Sequence, residues 1–112
     1  VNDIIDFNEL KEKIRSFAKM RNWEPYHNPK NLLMALSVEV AELVEIYQWL
    51  SSTEAEVAHH DLHRKQAIGE EIADILLYLV CFADMVNIDL KQAVLEKMAL
   101  NAIKYPANDR VE

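Results

Sequence analysis

Glycine occurs once in this chain, at Gly69, so the residue that tight turns between strands call for is almost absent. The three prolines, Pro25, Pro29 and Pro106, fall where connections are wanted, and no alternating run of β-branched residues is long enough for a strand. The punctuation therefore points to an all-α fold. At 112 residues the chain is one domain's worth, residues 1–112, with no repeat or low-complexity tract.

Helix boundaries follow from capping chemistry. Asp6 with Glu9 three residues on forms a capping-box pattern, and Phe7, Leu10, Ile14 and Phe17 continue at helical spacing, which predicts a first helix to about Arg21. Asn22 to Pro29 reads as a loop, closed by Asn28-Pro29, in which Asn caps and Pro suits the first helical position. The second helix is expected over Pro29 to Leu50, with Leu32, Leu33, Leu36, Val40, Leu43 and Tyr47 as its apolar stripe. Ser51 to Asp61 is a polar connection with room for a short helical turn. The third helix, Leu62 to Val86, carries Ile68, Ile72, Ile75, Leu76, Leu79 and Phe82 and is the most apolar, which places it at the centre. Asp89 with Gln92 starts a fourth helix over Leu90 to Tyr105, and Pro106 ends it. Four helices with short links predict an antiparallel bundle.

Charge and composition narrow the function. A formal charge of −7 opposes binding to nucleic-acid polymers, which depends on Lys and Arg meeting phosphates. No apolar run approaches the roughly 20 residues of a membrane helix. Val1 to Glu9 shows no targeting pattern and the single cysteine, Cys81, lies in an apolar run, so the reading is a cytoplasmic protein with a core thiol.

The chemistry lies in two acidic pairs. Glu39 and Glu42 are three residues apart on the second helix, about 60° apart around its axis, and Glu71 and Asp74 repeat the spacing on the third. Each pair borders apolar neighbours, Val38 to Leu43 and Glu71 to Leu76. A single pair of this kind is ordinarily a solvated helix face; two on successive helices can converge. Two carboxylates about 4 Å apart repel by roughly 4 kcal/mol at an effective dielectric near 20, so a converging set calls for protons or cations, and hard oxygen ligands favour Mg²⁺ or Mn²⁺. Glu45, Glu54, Glu56, Glu70 and Glu96 read as surface charges, with Glu45 and Glu70 near enough to the pairs to serve as alternative ligands.

Two further groups surround the acids. Lys97, Asn101 and Lys104 share one stripe of the fourth helix, with Tyr105 at its end, a pattern that can hold phosphate oxygens or merely complement the helix dipole. Trp23, Tyr26 and His27 cluster in the first loop and Trp49 ends the second helix, offering rings for a base or for the core. His59, His60 and His63 read as a solvated run.

Taken in order, these residues are familiar. Arg21-Asn22-Trp23, His27 with Pro29, Asn31-Leu32-Leu33, Glu39-Val40-Ala41-Glu42, Gln48-Trp49, Glu70-Glu71-Ile72-Ala73-Asp74 with Tyr78, and Lys97, Asn101 and Lys104-Tyr105-Pro106 resemble the MazG-like nucleotide pyrophosphohydrolases, closest to their dCTP pyrophosphatase subgroup. The resemblance implies the MazG fold and Mg²⁺-dependent hydrolysis of a (deoxy)nucleoside triphosphate to monophosphate and pyrophosphate, in nucleotide-pool housecleaning. It implies Glu39, Glu42, Glu71 and Asp74 as catalytic metal ligands, Trp23, His27, Trp49 and Tyr78 around the nucleotide, and Lys97, Asn101, Lys104 and Tyr105 on the phosphate side. It also implies a homo-oligomer, a tetramer built as a dimer of dimers, with the site at or near a subunit interface. Where mammalian members of the subgroup carry a histidine facing the base, this chain has Ile14. Two other classes compete: a ferritin-like di-metal protein, which needs Glu-x-x-His on its helices, whereas no histidine follows Glu39, Glu42 or Glu71 at that spacing, and a catalytically silent helical interaction module.

Overall fold

A computed structural model describes residues 5–107. Within them the order is α1 (Phe7–Met20), a 3-10 turn (Glu24–Tyr26), α2 (Pro29–Tyr47), a short α3 (Ser52–Val57) running into a second 3-10 turn (Ala58–His60), α4 (Leu62–Met85) and α5 (Leu90–Lys104). No strand occurs among the described residues.

The caps explain the boundaries. The side chains of Asp6, Asn28, Asp61 and Asp89 each accept from the backbone N–H three residues on, satisfying donors that the first helical turn leaves open. The expected short turn after α2 is a complete helix because Ser51 and Glu54 form a reciprocal capping box. The second helix ends at Tyr47 rather than Leu50, with Gln48 as its cap.

With so little glycine, the left-handed residues that stop helices come from asparagine. Asn22 and Asn87, at φ 56° and 58°, follow α1 and α4. Beyond them Trp23 N–H donates to Ala18 O at 3.0 Å and Ile88 N–H to Ala83 O at 2.9 Å, the backbone bonds of a Schellman stop. Asparagine pays less than most residues for that conformation. The first of these turns swings Trp23 back against α1.

α4 is the centre, as its apolar character foretold, and both α2 and α1 pack on it. α5 does not pack on any other helix to a comparable extent, so a single chain does not close the expected antiparallel four-helix bundle. The radius of gyration is 17.6 Å, against about 13 Å for a compact domain of this length. Accessible surface reaches 9205 Å², where a 13.0 kDa monomer typically presents roughly 6300 Å². Among the described residues the buried apolar ones are Ala18, Leu32, Ala58, Val80 and Ala83. Several residues of the expected stripes, among them Leu33, Val40, Ile72 and Leu79, are instead exposed. Helices apolar on more than one side leave a face over when only one neighbour is present.

Candidate active site

The α2–α4 pairing brings the two acidic motifs together. Carboxylate oxygens of Glu39, Glu42 and Glu71 lie within 4.8 Å of one another. Asp74, one helical turn beyond Glu71, stands beside this cluster, close enough for its charge to act on Glu39, and lines an adjoining cavity. Glu39 Oε2 and Glu71 Oε2 are shut off from solvent and have no hydrogen-bond partner. None of the ion pairs among the described residues involves any of the four acids. Enclosed carboxylate oxygens with neither donor nor cation are costly, and a hard divalent cation is what such a donor set fits.

The electrostatics carry the same signature. Desolvation, followed by the Glu42 and Glu39 carboxylates, pushes Glu71 up to about 7. Burial first, and then the charge of Glu42, also raises Glu39. The Tyr78 phenol is raised by burial and by Glu39 and Asp74, which places it at the edge of the same negative field.

These shifts set a pH dependence for the metal-free protein. Glu71 binds its proton up to about pH 7 when folded but only to its ordinary 4.5 when unfolded, so between those values the folded state holds more protons and stability falls as pH rises. The carboxylates shifted the other way, Asp84 and Glu54, act below pH 4.5 and leave this window undisturbed. In EDTA the melting temperature should therefore be higher at pH 5 than at pH 8. Millimolar Mg²⁺, replacing protons in the cluster, should raise it most at pH 8. Differential scanning fluorimetry checks both; a melting point that climbs from pH 5 to 8 in EDTA and ignores Mg²⁺ would contradict the assignment.

Next to the acids, between α1, the Trp23–His27 loop and α4, lies a mainly apolar cavity of 480 Å³. Leu10, Ile14, Phe17 and Ala18 form its α1 wall, Trp23 and His27 come from the loop, and Asp74, Leu77, Tyr78 and Cys81 from α4. Trp23 is held edge-on against Phe17 at 5.5 Å. Asn31 fixes the loop to α2 by donating from Nδ2 to Tyr26 O at 3.1 Å. The volume falls within the range of small-molecule pockets, and Asp74 joins it to the acidic cluster.

Of the residues singled out in the sequence, Trp23, His27, Tyr78 and Asp74 meet at this cavity. Trp49 does not; it is 87 % exposed at the end of α2. Lys97, Asn101 and Lys104 lie on the exposed α5 and Tyr105 caps its end, and none of the four lines the cavity within one chain. Glu45 and Glu70 remain on the surface, the latter bonded by Gln66. Cys81 is corrected: it is not buried core but half-buried cavity wall, its Sγ 3.7 Å from His27 Nδ1. Leu10 and Phe17 of the α1 wall were not singled out because they look like any core stripe; Ile14 alone was, through the resemblance.

A profile of the MazG-like family matches residues 34–112, which include both acidic motifs. The chain belongs to the MazG-like family. Among similar proteins are dCTP pyrophosphatase 1 of Mus musculus, 45 % identical over 92 residues, and of Homo sapiens, 44 % identical over 92 residues. Each alignment covers 82 % of this chain and 54 % of the relative, so the chain spans about half the length of these relatives. The crystal structure of a pyrophosphatase from Archaeoglobus fulgidus DSM 4304 is 42 % identical, with a TM-score of 0.83, 96 % of this chain covered and 98 % of that one. No helix among the described residues is long and apolar enough to cross a membrane.

Proposed function

We propose that this MazG-like chain is a Mg²⁺-dependent nucleoside triphosphate pyrophosphohydrolase that releases monophosphate and pyrophosphate, with deoxynucleotides preferred and a dCTP-like base near the top. The observation that carries the reading is the pair of enclosed, unpartnered oxygens on Glu39 and Glu71, beside Glu42 and next to a nucleoside-sized cavity that Asp74 lines. The names of the relatives support the substrate class.

Glu39, Glu42, Glu71 and Asp74 would hold the cation, with Mn²⁺ a chemically similar substitute. Bound Mg²⁺ supplies neutralisation of the phosphates and acidification of a water. The chain's own residues do the rest. Trp23 and Phe17 offer apolar faces to the base, and Asp74 and Tyr78 mark where sugar and phosphates pass from the cavity toward the acids. The cavity excludes water from one side of the substrate, which strengthens polar interactions at its mouth. Lys97, Asn101, Lys104 and Tyr105 would meet the phosphate chain, and Trp49 the nucleotide, from a second copy in a homo-oligomer, a dimer of dimers by resemblance.

Ile14 offers the base no hydrogen bond, which favours tolerance among deoxynucleotides over strict selection. The test is a panel of the four dNTPs and their ribonucleotide counterparts at equal Mg²⁺, with wild type and Trp23→Ala. Wild type should turn over dNTPs faster, and Trp23→Ala should lose about tenfold in kcat/KM, the effect of losing one stacked base. A loss within twofold would displace the base from this cavity. A wild type inert toward the whole panel would favour the silent interaction module.

A further inference from the structure

The site described so far leaves one polar feature unused, and it lies on the far side of the cavity's α1 wall. Arg15 on α1 grips Asp84 on α4 with both arms of its guanidinium, Nε donating to Oδ2 at 2.7 Å and Nη2 to Oδ1 at 2.5 Å, while Glu12 Oε1 accepts from Nη1 at 3.1 Å. Among the described residues this is the one ion pair that joins two helices; the others lie within α1. Asp84 is well enclosed, its side chain 18 % exposed. The guanidinium beside it holds its carboxyl below the usual range.

The apolar contact beneath the pair is thin. Ala18 is the buried residue of α1, and the buried residues of α4 are Val80 and Ala83. Open space borders that contact: the 480 Å³ cavity, and openings of 560 Å³ and 240 Å³ that are both lined by Arg15 and Asp84. A helix seated on small side chains between voids has few dispersion contacts to fix its position. A forked guanidinium–carboxylate pair supplies what the packing lacks, because two parallel hydrogen bonds specify direction as well as distance.

We propose that Arg15 and Asp84 act as a clamp that sets the distance of α1 from α4, and with it the width of the cavity that receives the nucleoside. They are positioning residues acting through Leu10, Ile14 and Phe17, and the inference rests on the reading of that cavity given above. Since Arg15 is itself 53 % exposed, the pair adds little to global stability and its effect falls on substrate affinity.

The test compares Asp84→Asn, Arg15→Ala, their double variant and the reversed pair Arg15→Asp with Asp84→Arg. Each single variant should raise KM for dCTP about five- to tenfold with kcat within about twofold, as expected when a wall of the binding site shifts and the reacting groups do not. The double variant should be no worse than either single one, and the reversed pair should recover part of the loss. Inorganic triphosphate, which has the phosphates and no base, should keep its inhibition constant in every variant. Unchanged KM, additive losses, or equal weakening of dCTP and inorganic triphosphate would each overturn the clamp. Amide hydrogen exchange decides the matter without substrate: Asp84→Asn should speed exchange over Leu10–Ala18 and leave α2 unchanged, and equal protection would overturn the proposal. A wild type that turns over no nucleotide would instead fault the underlying reading of the site, and the exchange result would still stand.

Discussion

Glu39→Gln and Glu71→Gln are each expected to lower kcat by roughly a thousandfold or more, the scale of losing the groups that hold a catalytic cation. Asp74→Asn should follow them closely. Its carboxylate sits beside the cluster and lines the cavity. What separates this outcome from misfolding is stability. Gln at position 39 or 71 removes charges that burial and neighbouring carboxylates disfavour, so in EDTA at pH 8 both variants should melt above wild type. Lost activity in a stabilised protein marks a site built for something other than folding. Steady-state kinetics with melting curves checks this, and wild-type turnover in any two of the three variants would sink the assignment.

The second large effect concerns α5. Val94, Leu95, Met98, Leu100 and Ile103 are all exposed on it, Ile103 at 79 %, and the chain as a whole presents far more surface than a monomer of its mass normally does. A homo-oligomer is therefore expected, with α5 covered by a partner. Met98→Glu with Ile103→Glu should reduce the assembly seen by light scattering and cost about a hundredfold in activity, because Lys97, Asn101 and Lys104 would no longer reach a neighbouring cavity. Mixing chains sharpens the test. Glu71→Gln and Lys104→Ala proteins, each impaired alone, should regain activity when co-assembled, since one subunit would contribute acids and the other α5. A wild type that is monomeric at micromolar concentration and fully active would refute the assembly, and mixed chains that stay inactive would place α5 outside the site.

What could be read in advance followed the range of the physics. Helix starts are local: Asp6, Asn28 and Asp89 announce themselves by a side chain that caps its own neighbour, and the structure places helices behind each. The juxtaposition of Glu39, Glu42 and Glu71 was legible because a spacing of three fixes a shared helix face, and α2 and α4 pair along those faces. Partner choice is another matter. α4 is apolar on several sides, so its periodicity did not say which stripe meets α2, which meets α1 and which stays open; Ile72 and Leu79 remain exposed for that reason. The position of α5 was illegible because its pattern calls for an apolar partner without naming the chain that carries it. Arg15 and Asp84, 69 residues apart, had nothing local to connect them. Cys81 was read as core from its apolar neighbours, and only the fold puts His27 beside it.

The most direct measurement is the identity of the products. Wild-type protein incubated with dCTP and Mg²⁺ and followed by phosphorus NMR should give dCMP and pyrophosphate in equal amounts, with no orthophosphate and no reaction in EDTA. The appearance of dCDP with orthophosphate, or undiminished turnover without divalent cation, would contradict the account.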